Sequence, residues 1–342
     1  MLLVADWLRD SDRPSIGSVL IVDHGLRETS AREAKLVASW AERVGLRAHV
    51  LTWRGRKPRA NVEEKARHAR YTLMGDWCMA NNVTQLLVAH TRDDQAETFL
   101  LRLGRGSGVD GLSAMSERAP FPLPGYRVDL IRPLLNTGRK ELRDYLKAQG
   151  ADWLEDPMNA ESRFARTRIR ELLPRLESAG VSVSRIAKAA AHLSRARAAL
   201  DDATAAFLAE HTRPHPQALL VDAQALRSAA REIGLRVLSS CLLRIGGAPY
   251  RPRFERLEPL YDAVIAPGFE DARTLAGCRV GLAPKARQSF GVGTLEIRRE
   301  GPRSSRSATK KGAQTRLVTD LAADRPHDLP KKGRIMPFPC NS

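Results

Sequence analysis

The stretch Leu87-Val-Ala-His-Thr-Arg-Asp-Asp-Gln-Ala-Glu-Thr-Phe-Leu-Leu-Arg-Leu-Gly-Arg-Gly-Ser-Gly108 decides the fold class. The run Gln85 to Ala89 is short and apolar and ends at His90, as a buried parallel strand does. A helix is expected to begin near Asp93, whose side chain can cap it. Ala96, Phe99, Leu100 and Leu103 follow at i, i+3, i+4, i+7 and are expected to pack inward. Asp94 and Glu97, three apart, then share a different face close to the helix start. In open α/β sheets the carboxyl ends of parallel strands border the ligand crevice, so these carboxylates and His90 stand where a ligand binds. Two carboxylates there can hold Mg²⁺ on a nucleotide or orient a cationic amine. Acids in a first helical turn also serve the helix dipole, so residue type alone leaves both readings open.

The same alternation extends outward. Ser18 to Val22 is an apolar run ending at Asp23-His24-Gly25, and Ser30 with Glu33 has the spacing of a capping box before Ala34, Val37, Ala38, Ala41 and Val44. A second strand is expected over Ala48 to Trp53. A helix is expected after Asn61 and Glu64, with Ala66, Ala69, Leu73 and Trp77 on its apolar face. Strands and helices alternating at this length predict an α/β domain with a mainly parallel, doubly wound, Rossmann-like sheet over residues 1–158. Pro157 and Asn159 break the pattern. A helical domain is expected over 159–268, with Ile186, Ala189, Leu193, Ala196 and Leu200 as one stripe, then a small β-containing region over 269–300 that makes the C-terminal part α+β. From Gly301 nine basic residues stand against three acidic ones without periodicity, so 301–342 reads as a disordered basic tail.

The chain has 342 residues and a formal net charge of +17. A basic excess of that size, with no long apolar span, favours a nucleic-acid partner over a membrane; the bland alternative is an Arg-rich surface with no partner. Cys78, Cys241, Cys278 and Cys340 form no CxxC pair, which argues against a disulfide framework, structural zinc or an iron–sulfur cluster and suits a reducing cytoplasm.

Five motifs in order make residues 17–170 resemble the tRNA(Ile)-lysidine synthases, a family of PP-loop ATPases. Leu87 to Gly108 is similar to the family's AHHxDDQAET run and its Gly-Ser-Gly turn. Ile21-Val-Asp-His-Gly-Leu-Arg27 resembles VDHGLR, and Glu64-Lys-Ala-Arg67 with Arg70-Tyr71 resembles EAARxxRY. Leu130-Ile-Arg-Pro-Leu-Leu135 resembles IRPLL, and Trp153 to Asn159 with Arg163-Phe164-Ala165-Arg166 resembles the W-x-EDPxN…RFxRxxIR run. The resemblance implies a ligase that uses ATP and Mg²⁺ to adenylate the 2-carbonyl oxygen of the wobble cytidine in an isoleucine tRNA with a CAU anticodon. The amine of free L-lysine then displaces AMP, and the product base pairs as U.

Carried onto this chain, the resemblance makes Asp94 and Glu97 catalytic groups that hold the metal or the lysine amine. Arg67 contacts phosphate or adenylate, and Asp23, His24 and His90 bind nucleotide. Thr91 stands where the family often has a second His and receives no role. Arg163, Arg166, Arg168 and Arg170 are expected on tRNA phosphates. Bland readings stand beside these: Arg67 paired with Glu63, His90 capping a turn, and the later arginines paired with Glu155, Asp156 and Glu161. The family's phosphate-binding SGGxDS loop occurs nowhere in the 342 residues. Met1 to Leu8 reads as the helix that follows that loop, so the loop and a first strand are expected directly upstream and the 342 residues alone are expected to be inactive. The competing assignments are another PP-loop tRNA-modifying enzyme and an inactive, truncated tRNA-binding paralogue.

Overall fold

The computed structural model describes residues 1–11, 17–58, 60–155, 165–248 and 250–301. Helix α1 (Leu2–Arg9) precedes β1 (Ser18–Asp23), α2 (Ser30–Arg43), β2 (Arg47–Thr52) and α3 (Val62–Ala80). β1 and β2 pair in parallel, from Ser18 opposite Arg47 to Asp23 opposite Thr52. β3 (Gln85–Leu87), two residues shorter than the apolar run suggested, leads into α4 (Arg92–Leu103) and the single turn α5 (Val109–Leu112). Then come β4 (Arg118–Pro120), β5 (Asp129–Ile131) and α6 (Arg139–Ala148). β5 lies between β3, to which it is parallel, and β4, to which it is antiparallel.

The expected α/β architecture with parallel pairing is therefore present, but its sheet comes in two pieces. Among the described residues β1 and β3 share no ladder. What joins the pieces is side-chain burial. Tyr71, Met74 and Cys78 of α3 and Leu130 of β5 form a cluster that also collects Leu20, Val22, Leu51, Leu86 and Val88. The apolar face of α3 is thus rotated from the expected one: Tyr71, Met74, Gly75 and Cys78 are buried, whereas Ala66, Ala69, Leu73 and Trp77 are half-buried. Aromatic bulk explains the rotation, because Tyr71 packs edge-on to Phe121 at 5.6 Å. A methyl group on Gly75 would meet the Tyr126 ring at 2.6 Å, so that closeness requires glycine.

Helix α7 (Ala165–Ser178) leads to α8 (Val183–His211), on which Ile186, Ala190 and Thr204 are buried. Leu193 and Leu200 of the expected stripe are half-buried, while Ala189 and Ala196 face solvent. The chain then forms β6 (Thr212–His215) and β7 (Ala218–Asp222), two strands inside a region that reads as helical. After α9 (Ala223–Ser228), α10 (Arg231–Gly246) and α11 (Phe254–Ile265) come β8 (Arg273–Leu275), β9 (Cys278–Leu282) and β10 (Thr294–Arg299). These five strands make an antiparallel sheet in the order β6-β7-β10-β9-β8. Pro214, which cannot donate to a ladder, sits on the edge strand β6. The sheet packs on α10 and α11 through Leu219, Val221, Leu238, Leu242, Tyr261, Val264, Leu295 and Ile297. Among the described residues no helix is long and apolar enough to cross a membrane.

Candidate functional site

A cleft of about 550 Å³ opens where β3 ends, between the two pieces of parallel sheet. Leu20 of β1, Leu87, Val88 and Ala89 line its apolar side, and His90 and Asp94 stand at the strand–helix junction. Arg67 and Arg70 of α3, Arg139 and Arg143 of α6, and Arg166 and Arg170 of α7 surround them. Against six guanidinium groups the described lining offers Asp94 and Glu155 as acids, so among the described residues the cleft is strongly cationic. Arg143 is neutralised by Glu155. Among the described residues Arg67, Arg70 and Arg166 form no ion pair; Arg67 and Arg70 instead lie over the Tyr71 ring, 4.9 and 5.8 Å from its centre. Glu63 does not hold Arg67, contrary to the bland reading.

The start of α4 is built differently from the expected pattern. Its N-cap is Thr91, not Asp93: the Thr91 backbone N–H donates to an Asp94 oxygen at 2.8 Å and the Asp94 N–H donates to Thr91 Oγ1 at 3.4 Å, forming a capping box. The Thr91 hydroxyl also donates to that Asp94 oxygen, at 2.7 Å. Asp93 instead accepts from the backbone N–H of Arg139 at 2.7 Å and so caps α6, a partner 46 residues away. Inward-facing residues also differ. Ala96, Glu97 and Thr98 are buried, Phe99 and Leu100 are half-buried, and Leu103 is 50% exposed.

Glu97 is fully buried, and its carboxylate is already engaged. One oxygen accepts from Arg170 Nε at 2.6 Å and Arg139 Nη2 at 3.3 Å; the other accepts from Arg170 Nη2 at 3.2 Å. This hydrogen bonding raises the Arg170 pKa above its ordinary value. A buried carboxylate requires such partners, since water cannot solvate it. Asp94 remains 17% exposed towards the cleft, 3.5 Å from Arg139 Nη2. Asp94 and Glu97 therefore do not present two open carboxylates to a metal, and among the described residues no group of three or more His, Cys, Asp or Glu is disposed to hold one.

His90 is half-buried, and its Nδ1 has no hydrogen-bond partner among the described residues. Burial, opposed by Asp94 and reinforced by Arg132, Arg67 and Arg166, pushes its pKa down to about 4. The imidazole is neutral at physiological pH and can accept or donate one hydrogen bond to a ligand. Asp23 ends β1 but turns back on its own loop: it accepts from Gly25 N–H at 2.9 Å and from the Ser30 hydroxyl. The Ser30 hydrogen bond holds the Asp23 carboxyl below the usual range. Ser30 is thus spent on Asp23, while Glu33 pairs with Thr29 and Arg27, so the expected Ser30–Glu33 box does not form. Gly25 adopts φ +56°, which a glycine tolerates without strain. His24 meets Trp53 edge-on at 6.3 Å, away from the cleft lining. Asn61 precedes α3 in the left-handed conformation and makes no side-chain cap.

Of the expected tRNA contacts, Arg166 and Arg170 reach the cleft, Arg168 is exposed on the same helix, and Arg163 lies outside the described residues. Arg139 and Arg143 were not anticipated; the only sequence signal is a basic first turn of α6 after Thr137-Gly138, with no spacing tie to α4.

The PP-loop domain family matches residues 1–176. A tRNA(Ile)-lysidine synthase of Ruegeria pomeroyi is 41% identical over 262 residues, covering 77% of this chain and 61% of the relative. Those of Wolbachia pipientis wMel and Methylobacterium nodulans are 36% and 38% identical over 280 and 288 residues, covering 81% and 83% of this chain and 64% and 83% of the relatives. The chain thus spans about three-fifths of the length of the first two. Among solved structures a tRNA thiolase of Methanococcus maripaludis aligns over 56% of this chain and 67% of its own, at TM-score 0.47 and 15% identity. By domain match and by identity to relatives across most of its residues, the chain belongs to the tRNA(Ile)-lysidine synthase family.

Proposed function

We propose that the protein joins lysine to the wobble cytidine of an isoleucine tRNA at the expense of ATP, with the arginine-rich cleft at the end of β3 as the reaction site. The observation that carries this reading is the cleft itself: three guanidinium groups without acidic partners among the described residues, Arg67, Arg70 and Arg166, face a neutral His90 and a partly exposed Asp94. Free guanidinium groups at the carboxyl end of a parallel strand suit the phosphates of ATP and of RNA. A carbonyl oxygen leaves poorly, whereas its adenylate leaves as AMP, so the ATP-dependent step precedes attack by the amine. Arg67 and Arg166 hold phosphate oxygens as charge develops on them. Asp94 attracts the ammonium form of lysine into an otherwise cationic cleft and orients it. Neutral His90 hydrogen-bonds the substrate without adding charge. Glu97 fixes Arg170 and Arg139 rather than touching substrate.

Mg²⁺ supplies charge neutralisation on the phosphates of ATP in phosphoryl transfer generally. Asp94 alone suits a contact to it; the buried, doubly paired Glu97 does not. Arg168 extends the basic surface of α7 beyond the cleft, where tRNA phosphates would lie. The test is transfer of labelled lysine to isoleucine tRNA with matching AMP release, using the protein as its gene encodes it. Asp94→Asn is expected to abolish transfer with tRNA affinity nearly unchanged. Lysine transfer undiminished in that variant would overturn the role of Asp94, and AMP release that ignores lysine would overturn the reaction.

A further inference from the structure

A second cavity, of about 780 Å³, lies on the other side of α3. Trp53, Pro58, Ala69 and Leu73 supply its apolar surface, and Arg56, Lys57, Lys65 and His68 supply cations or hydrogen-bond donors. No acidic side chain among the described residues lines it. Among the described residues Arg54, Arg56 and Lys65 make no ion pair. The Trp53 indole is held in place: Lys57 Nζ stands 4.3 Å from its ring centre and donates to the Trp53 carbonyl, and His24 meets its edge. A fixed, half-buried tryptophan among unpaired cations is the combination that binds a nucleobase with its phosphate, stacking supplying one part and charge the other.

The position adds a second reason. Helix α3 shows two basic faces on opposite sides: Arg67 and Arg70 line the arginine-rich cleft, while Lys65, His68 and Thr72, at i, i+3, i+7, line the Trp53 cavity. A helix with its side chains is about 10–12 Å across, so cleft and cavity lie within the span of a few extended nucleotides. We infer that the Trp53 cavity is a subsite for an unpaired RNA nucleotide flanking the base that reacts in the cleft. This rests on the reading that RNA is the substrate. An acidic peptide would use the cations but leave the indole without a planar partner.

The experiment measures binding of an anticodon stem-loop RNA to the full chain by fluorescence anisotropy across a salt series. Trp53→Ala is expected to weaken binding about 5- to 150-fold, the range that loss of one base–aromatic stack gives. Its salt dependence should match the wild type, because no charge is removed. Trp53→Phe should recover most of the affinity, which a merely misfolded alanine variant cannot explain. Lys65→Ala should reduce the slope of log affinity against log salt by about 0.7. Wild-type affinity in Trp53→Ala, with Arg166→Ala still weakening binding, would overturn the subsite and leave the RNA reading standing. Loss of AMP binding in Trp53→Ala with RNA binding intact would make the cavity a free-mononucleotide pocket and overturn it equally. A wild-type chain that bound no RNA would overturn both.

Discussion

Replacing Glu97 by glutamine keeps the side-chain shape and removes the charge that two arginines share. The carboxylate is fully buried, whereas the side chains of Arg170 and Arg139 are 26% and 35% exposed. Removing one member of a buried ion pair costs about 3–5 kcal/mol because the partner is left buried and uncompensated. Here both arginines keep access to water, and the amide oxygen still accepts from Arg170 Nε, so the expected loss is about 2–3 kcal/mol. At about 2 °C per kcal/mol for a folded unit of this size, the melting midpoint should fall by about 5 °C. Arg170→Gln leaves Glu97 with Arg139 alone and should destabilise comparably. The double variant should lose less than the sum, with a coupling of about 1.5–3 kcal/mol. Thermal and urea unfolding of the four proteins measures this. Midpoints unchanged in Glu97→Gln, together with additive effects in the cycle, would refute the clamp and return Glu97 to the cleft as an open carboxylate.

Arg236 is 5% exposed and binds Asp110 of α5, Asp201 of α8 and Glu232 of α10, tying the end of the α/β half to the helices that follow. Arg236→Ala should cost about 3 kcal/mol in urea unfolding, and Asp110→Asn about 1 kcal/mol, since Arg236 then keeps two carboxylates; equal losses would contradict the shared network. His90 has its folded pKa below the unfolded value of about 6.5, at about 4, so the unfolded chain binds the extra proton first as pH falls. Its contribution is complete above about pH 6.5 and is lost progressively down to about pH 4, and His90→Gln should flatten that part of the stability profile. An unchanged acid limb in His90→Gln would mean that the ring is solvated.

How much was legible depended on whether the cause was local. Apolar runs ending at Asp23 and His90 marked β1 and β3 because burial on both faces leaves a continuous signal, and the five ordered motifs carried the family. The rotation of α3 was not legible, since helical spacing alone fits either Ala66–Ala69–Leu73 or Tyr71–Met74–Cys78, and only contact with Phe121 and Leu130 chooses. β6 and β7 escaped notice because four- and five-residue segments between long helices carry too little periodicity, and β10, the second ladder partner of β7, lies more than 70 residues away. The capping of α4 could be judged only in part: Thr91 and Asp93 are both good caps by type, and Asp93 is claimed by the Arg139 amide across 46 residues.

The amino-acid sequence by itself determined the alternation of strands and helices, the placing of His90, Asp94 and Glu97 at a strand–helix junction, and the basic character of what surrounds them. These follow from short-range rules of burial and period. Tertiary structure decided what each charge does. It buried Glu97 against Arg170 and Arg139, left Asp94 partly exposed to the cleft, kept His90 neutral and separated the basic faces of α3 into a cleft and a Trp53 cavity. The role of a charged side chain depends on its solvation and its partners, and both are set by residues distant in the chain.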